Sequence, residues 1–204
     1  MIPVSDRYWL RNAHIPQPLL DQSQPTITGS TQELQFTNLE PSDFLRVDLS
    51  IDNGTIAAIA PAGQVTDDSP SVDLQNGIVF PCFVDLHTHL DKGHVWELAP
   101  NPDGTFNNAI ATIQTDTRHW DADDLYRRMS FGLKCSYAHG SKAIRTHIDA
   151  AGEKAAISLG VFKTLQAEWS DRLLLQAASL VSLEYYLTPA GEQLADQLAA
   201  VGGI

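Results

Sequence analysis

The chain has 204 residues, with 13 Lys or Arg against 25 Asp or Glu and a formal net charge of −12 at pH 7. The acid excess leaves no basic cluster to displace phosphate counterions or to meet an anionic lipid surface, which excludes nucleic acid and membrane as partners. Two cysteines, Cys82 and Cys135, are too few for a disulfide scaffold or a four-cysteine zinc site, while 43 % apolar residues suffice for a core.

No apolar run reaches membrane-spanning length, and Asp6, Arg7, Arg11, His14 and prolines interrupt the first twenty residues. The expectation is a soluble cytoplasmic protein. Tyr8 to Ile15 reads as a first strand, broken by Pro16 and Pro18. Residues 21–44, rich in Gln, Ser, Thr and Pro, read as an irregular insertion. Leu45, Val47, Leu49 and Ile51 alternate with polar residues, Asp52-Asn53-Gly54 supplies a turn, and Thr55 to Ala60 returns. This is the strongest hairpin signal in the chain. Ser71 to Phe80 reads as another strand pair, interrupted at Asn76-Gly77.

After Pro81 the pattern changes. Cys82 to Leu86 is a short apolar run suited to a strand buried on both faces. Residues 91–120 read as a long loop, of the kind that is uncommon unless functional. A helix capped by Asp121 or Asp123 runs to about His139, with Leu125, Met129, Leu133 and Tyr137 on one face and Gly140 as its stop. Lys142 to Asp149 reads as a strand, Glu153 to about Trp169 as a helix, and Leu173 to Leu183 as a strand. Thr188-Pro189 opens a last helix that ends at Gly202-Gly203. The order β-loop-α-β-α-β-α predicts α/β architecture with a parallel sheet, open or part of a barrel. The division expected is a strand-rich domain over 1–80 and an α/β domain over 81–204.

His87-Thr88-His89 stands at the carboxyl end of the first buried strand, where α/β folds place their sites. Residues i and i+2 of a strand share a face, so both imidazoles can meet one metal ion; two surface or hydrogen-bonded histidines are the alternative. Neutral imidazole suits zinc or iron and not magnesium or calcium. Asp85 shares that face, as an outer partner of a ligand or as a structural hydrogen-bonded acid. Asp91 and Lys92 follow into the loop, either to hold substrate or to pair with each other. His147 and Asp149, again i and i+2, face the same mouth or serve structural hydrogen bonds. His94, Trp96 and Phe106 close over a flat substrate or pack locally. His14, His119 and His139 read as surface or structural, and Cys82 and Cys135 as buried small residues.

The stretch Gly77 to Lys92, with its apolar strand introduced by Pro81 and ending in His87-Thr88-His89, resembles the first barrel strand of the amidohydrolase superfamily. Leu90-Asp91-Lys92 and Arg145-Thr146-His147-Ile148-Asp149 resemble its cytosine deaminase branch. The hairpin at 45–60 with Asp73-Leu74-Gln75 is similar to the small β-sandwich preceding the barrel, and Tyr186 to Leu194 to the start of the third barrel helix. The resemblance covers the chain from about residue 45 onward. It implies the N-terminal portion of a (β/α)8 (TIM) barrel preceded by part of a β-sandwich. It also implies hydrolytic deamination of a heterocyclic amine, pyrimidine- or triazine-like, by hydroxide activated on one divalent ion, zinc or iron, held by His87 and His89. His147, Asp149, Asp91 and Lys92 are the candidate substrate contacts.

The chain also lacks signatures. There is no His-x-Glu with Pro-Cys-x-x-Cys, no Gly-x-Gly-x-x-Gly, no phosphate loop and no Gly-x-Ser-x-Gly. No Gln stands around Leu180-Val181-Ser182, where cytosine deaminases carry the one that contacts the base, which argues against cytosine itself. Only 124 residues follow Phe80 (204 − 80), against the ~250 of a whole barrel. The family's acid/base Glu and late Asp are therefore expected outside the chain, which is expected to hold no catalytic residue, to bind metal weakly and not to turn over alone. A second polypeptide completing the barrel is one expectation. A homo-oligomer fails to supply the missing acids, and a non-catalytic binding protein is the alternative.

Overall fold

The computed structural model describes residues 3–20, 44–66, 68–116, 120–152 and 154–204. The insertion read over 21–44 lies outside them except for Phe44, as do His119 and the helix-opening Glu153. The chain divides into two compact units, Met1–Pro81 and Cys82–Ile204.

In the first unit, β1 (Arg7–Pro16), β2 (Phe44–Asp52), β3 (Thr55–Pro61) and β4 (Ser71–Asp73) form a sheet in the order β3-β2-β1-β4. Alternation explains β2: Leu45, Val47, Leu49 and Ile51 are buried together with Ala13 and Ile15 of β1. The β2–β3 hairpin turns at Asn53 and Gly54, whose φ values of +49° and +75° belong to the left-handed region that these residue types tolerate. Asp48 is buried on the other face of β2, and its carboxylate accepts the backbone N–H groups of Asn12 at 2.8 Å and Gly63 at 3.1 Å. The strand pair expected over Ser71 to Phe80 is corrected. Only Ser71–Asp73 forms a strand, and the return makes a single bridge from Ile78 to His14. Gln75 and Asn76 adopt φ of +53° and +64°, which breaks the extended run.

Among the described residues, the second unit contains three parallel strands, β5 (Phe83–Thr88), β6 (Ser141–Asp149) and β7 (Leu174–Leu180), in the order β5-β6-β7. Helices α1 (Phe106–Asp116), α2 (Ala122–Ala138), α3 (Lys154–Glu168) and α4 (Pro189–Ala199) complete it. Asp121 caps α2 by accepting the N–H of Asp124, and Thr188 caps α4 by accepting that of Gly191. On α2, Leu125, Met129 and Leu133 lie on one buried stripe, each contributing about 1.5–3 kcal/mol by leaving water. Tyr137 ends the stripe edge-on to the ring of Trp169. Ile144 and Ile148 of β6, Phe162 and Leu165 of α3, Leu175 of β7 and Leu194 of α4 share the same core.

Four expectations are corrected here. The strand at 82–86 is not buried on both faces: Phe83, Val84 and Leu86 are 57 %, 59 % and 62 % exposed. β5 is an edge strand, and the helices pack on β6 and β7. The loop read over 91–120 contains α1, in which Phe106, Ile110 and Ile113 recur at helical spacing and Ile113 packs against the core, though none is fully buried. The last strand stops at Leu180, and Leu183–Leu187 forms a 3₁₀ turn instead. Nor are the cysteines buried. Cys82 precedes the edge strand and is exposed, while Cys135 lies two positions beyond Leu133, off the buried stripe, and is half-exposed.

Candidate active site

β6 alternates clearly. Ile144, Thr146 and Ile148 turn toward the helices, and Arg145, His147 and Asp149 turn to the opposite face. His87 of β5 meets His147 on that face, which gathers His87, His89, Arg145, His147 and Asp149 at one end of the parallel sheet. Arg145 donates from Nε to Oε1 of Gln176 on β7 at 2.7 Å, extending the polar row by one strand.

The segment leaving β5 is joined to β6 almost residue by residue. His89 Nδ1 lies 3.0 Å from the carbonyl oxygen of His147, and the Leu90 N–H donates to Oγ1 of Thr146 at 3.0 Å. The backbone N–H of Asp149 donates to Oδ2 of Asp91 at 2.8 Å, and Lys92 Nζ donates to Oδ1 of Asp149 at 2.8 Å. From below, Arg128 of α2 donates to the Asp91 carbonyl oxygen while its Nε and Nη2 hold Oδ2 of Asp124. Its guanidinium lies 4.7 Å over the ring of Trp120. These contacts fix the backbone that carries the histidines.

The ring geometry separates the three histidines. Two imidazoles bound to one tetrahedral ion at ~2.0–2.1 Å place their centroids about 5 Å apart. The centroids of His87 and His89 are 5.2 Å apart, with planes at 71°. His147 instead stacks on His87 at 4.1 Å and 29°, too close and too parallel for both rings to meet the same ion. A carbonyl oxygen only accepts, so the contact with His147 places a proton on His89 Nδ1 and leaves Nε2 with a free lone pair. Two of the four positions of a tetrahedral zinc site fit. Among the described residues, no group of three or more His, Cys, Asp or Glu is arranged to hold a metal ion.

Electrostatics differ across the cluster. Burial lowers the pKa of His147, and electrostatic interaction with neighbouring His87, His89 and Arg145 lowers it further, against a smaller opposing effect of the Thr88 backbone. Its Nδ1 is buried without a hydrogen-bond partner. Asp91 is fully buried, and desolvation pushes its pKa up. The Asp149 N–H and the Lys92 charge pull the other way, while the Asp149 charge adds to the rise.

Several sequence expectations take a definite form. Asp91 and Lys92 do not pair with each other; Asp91 turns inward onto the Asp149 backbone and Lys92 spans to the Asp149 carboxylate. Asp85 is half-exposed, and its Oδ1 accepts the His87 backbone N–H at 3.1 Å, a local contact that leaves the imidazoles to other partners. His94 packs edge-on against Phe131, while Trp96 and Phe106 are exposed. His139 bonds the Cys135 carbonyl oxygen at 2.7 Å within its own helix end. Arg145, Gln176 and Arg128 were not singled out by sequence. Only the position of Arg145, two residues before His147 on the same strand face, carried a signal.

No protein-family model matches the chain. A curated pterin deaminase from Rhizobium rhizogenes is 36 % identical over 189 residues, a match spanning 92 % of this chain and 40 % of the relative. Among solved structures, the 5-methylcytosine deaminase of Klebsiella pneumoniae liganded with 5-fluorocytosine superposes with a TM-score of 0.69 at 22 % identity. That match covers 96 % of this chain and 41 % of the other. The N-isopropylammelide isopropylaminohydrolase of Burkholderia multivorans gives a TM-score of 0.66 at 20 % identity, over 96 % of this chain and 43 % of the other. The chain spans about two fifths of the length of each. No helix among the described residues is long and apolar enough to cross a membrane.

Proposed function

Because the chain carries the N-terminal portion of the amidohydrolase-superfamily fold, we propose that it supplies the first metal-binding half of a hydrolase acting on a C–N bond of a small heterocyclic amine or amide in the cytoplasm. One observation carries this reading: the 5.2 Å separation of the His87 and His89 rings, with Nε2 of His89 left free by the bond to the His147 carbonyl. His87 and His89 would hold one divalent ion, zinc or iron. Such an ion lowers the pKa of water toward ~7 and supplies a nucleophile at neutral pH. Lys92 and Asp149, joined across the mouth, orient the substrate's polar edge, and Asp91 holds Asp149 in place. The acid/base carboxylates come from polypeptide outside this chain, as a covalent continuation or a second chain. The exposed apolar side chains Phe83, Val84 and Leu86 on the edge strand support such a completion. The net charge of −12 supports a small-molecule substrate over a nucleic acid.

Zinc titration of the 204-residue chain, followed by ammonia-release assays with pterin, cytosine and aminotriazine substrates, tests the proposal. Weak zinc binding that is lost in His87→Ala and His89→Ala, without turnover, is expected. Binding unaffected by those substitutions, or multiple turnovers by the chain alone, would overturn it.

A further inference from the structure

We infer that His147 is the positioning residue for both metal-binding histidines, acting on one through its ring and on the other through its backbone. The inference rests on the reading of His87 and His89 as ligands and assigns their neighbour a role that strand order alone does not reveal. His147 stacks on the exposed ring of His87 at 4.1 Å and 29°, which limits rotation of that imidazole about its side chain. The His147 carbonyl oxygen accepts from His89 Nδ1 at 3.0 Å, which fixes the tautomer that presents Nε2. Residues 87 and 89 therefore both contact one residue of β6. Nearby residues of β6 hold that residue still, because Thr146 Oγ1 accepts from the Leu90 N–H and the Asp149 N–H donates to the Asp91 carboxylate. The near-parallel stack keeps the His147 ring from sharing an ion with His87, so its role is orientation and not ligation.

Two substitutions separate ring from backbone. His147→Phe retains a flat ring for the stack and His147→Ala removes it, while both keep the carbonyl oxygen. Cobalt(II) titration of the full chain, read by its visible d–d bands, measures affinity and ligand geometry together. Circular dichroism confirms that each variant is folded. Expected is a loss of at least about tenfold in cobalt affinity, with altered d–d bands, in His147→Ala. His147→Phe should stay close to the unsubstituted chain. Equal loss in both variants would make the ring nitrogen a ligand and overturn the inference, as would unchanged affinity in His147→Ala. The metal-free chain gives an independent readout by proton NMR of the His87 ring. Its resonances should be displaced upfield in the unsubstituted chain and in His147→Phe, and released in His147→Ala. No displacement would overturn the stack. Absence of cobalt binding by the unsubstituted chain would instead defeat the metal reading, leaving His147 to be judged on the NMR result.

Discussion

Asp91 lies with its carboxylate Oδ2 2.8 Å from the backbone nitrogen of Asp149, so a fully buried acid at the exit of one strand caps the end of the next. The bond ties the loop bearing Lys92 to the strand bearing His147 and Asp149. Asp91→Ala would leave that N–H without its acceptor, at a cost of about 1–3 kcal/mol. Asp91→Asn keeps an amide oxygen in the same place and removes a desolvated charge, so it should be milder. Urea midpoints of the two variants check the order, with alanine the less stable.

Arg128 is buried between α2 and the Asp91 carbonyl, bonds Asp124 through Nε and Nη2, and covers the Trp120 ring. Arg128→Met preserves much of the packing but leaves the carbonyl and the Asp124 carboxylate unpaired. A loss of about 1.5–3 kcal/mol is expected, as for hydrogen bonds to charged groups. Arg128→Lys should recover part of it by restoring a charge without the planar fork. Differential scanning calorimetry with the three proteins would show whether lysine falls between the other two.

Gly191 lies in the first turn of α4, where a Cβ would come within 2.2 Å of the Tyr185 carbonyl oxygen and 2.5 Å of the Tyr186 Cα. Both obstacles are backbone, so neither can swing aside. Although alanine is the better helix former by about 1 kcal/mol, Gly191→Ala should destabilise the chain by separating α4 from the 3₁₀ turn. A lowered thermal midpoint, with faster amide exchange at Leu194 and Leu198, is the expected result.

Asp73 gives the first unit an acid-side signature. The backbone N–H of Gln75 and the side-chain amide of Asn12 donate to its Oδ1 at 2.8 and 2.9 Å and hold its pKa below the ordinary 3.8. A carboxylate whose folded pKa is depressed adds stability that is complete above 3.8 and is lost as pH falls through the lower folded value. Carbon-13 titration of the Asp73 carboxyl should give a midpoint below 3.8, and Asp73→Asn should flatten the stability profile across that window. A midpoint at or above 3.8 would contradict the hydrogen-bonded geometry.

Much of the secondary structure was legible because it is local. Leu45 to Ile51 alternates at the strand period, Asn53-Gly54 meets the dihedral demands of a tight turn, and Asp121 and Thr188 are oxygen-bearing caps one residue before their helices. His87 and His89 stood out for the same reason, since two residues apart on a strand is a shared face. The missed elements carry weaker signals. Phe106, Ile110 and Ile113 of α1 do repeat at helical spacing, but the stripe is short and follows a Pro- and Gly-containing run that reads as loop, and the apolar run at 82–86 cannot reveal that its strand lies at a sheet edge.

The sequence by itself determined the α/β order, the acid excess that sets nucleic acid aside, and the pair of imidazoles on one strand face. Each of these is a property of neighbours along the chain. Only the tertiary structure decided that Lys92 reaches Asp149 instead of Asp91, that Arg128 holds the loop from beneath, and that His147 stacks on His87 while its carbonyl receives His89. Those contacts join residues far apart in sequence, 37 positions for Arg128 and Asp91 and 58 for His89 and His147. The contacts of His87, His89 and Lys92 follow the register of β5 on β6 and that of Arg128 the packing of α2, neither of which any periodicity within one element encodes.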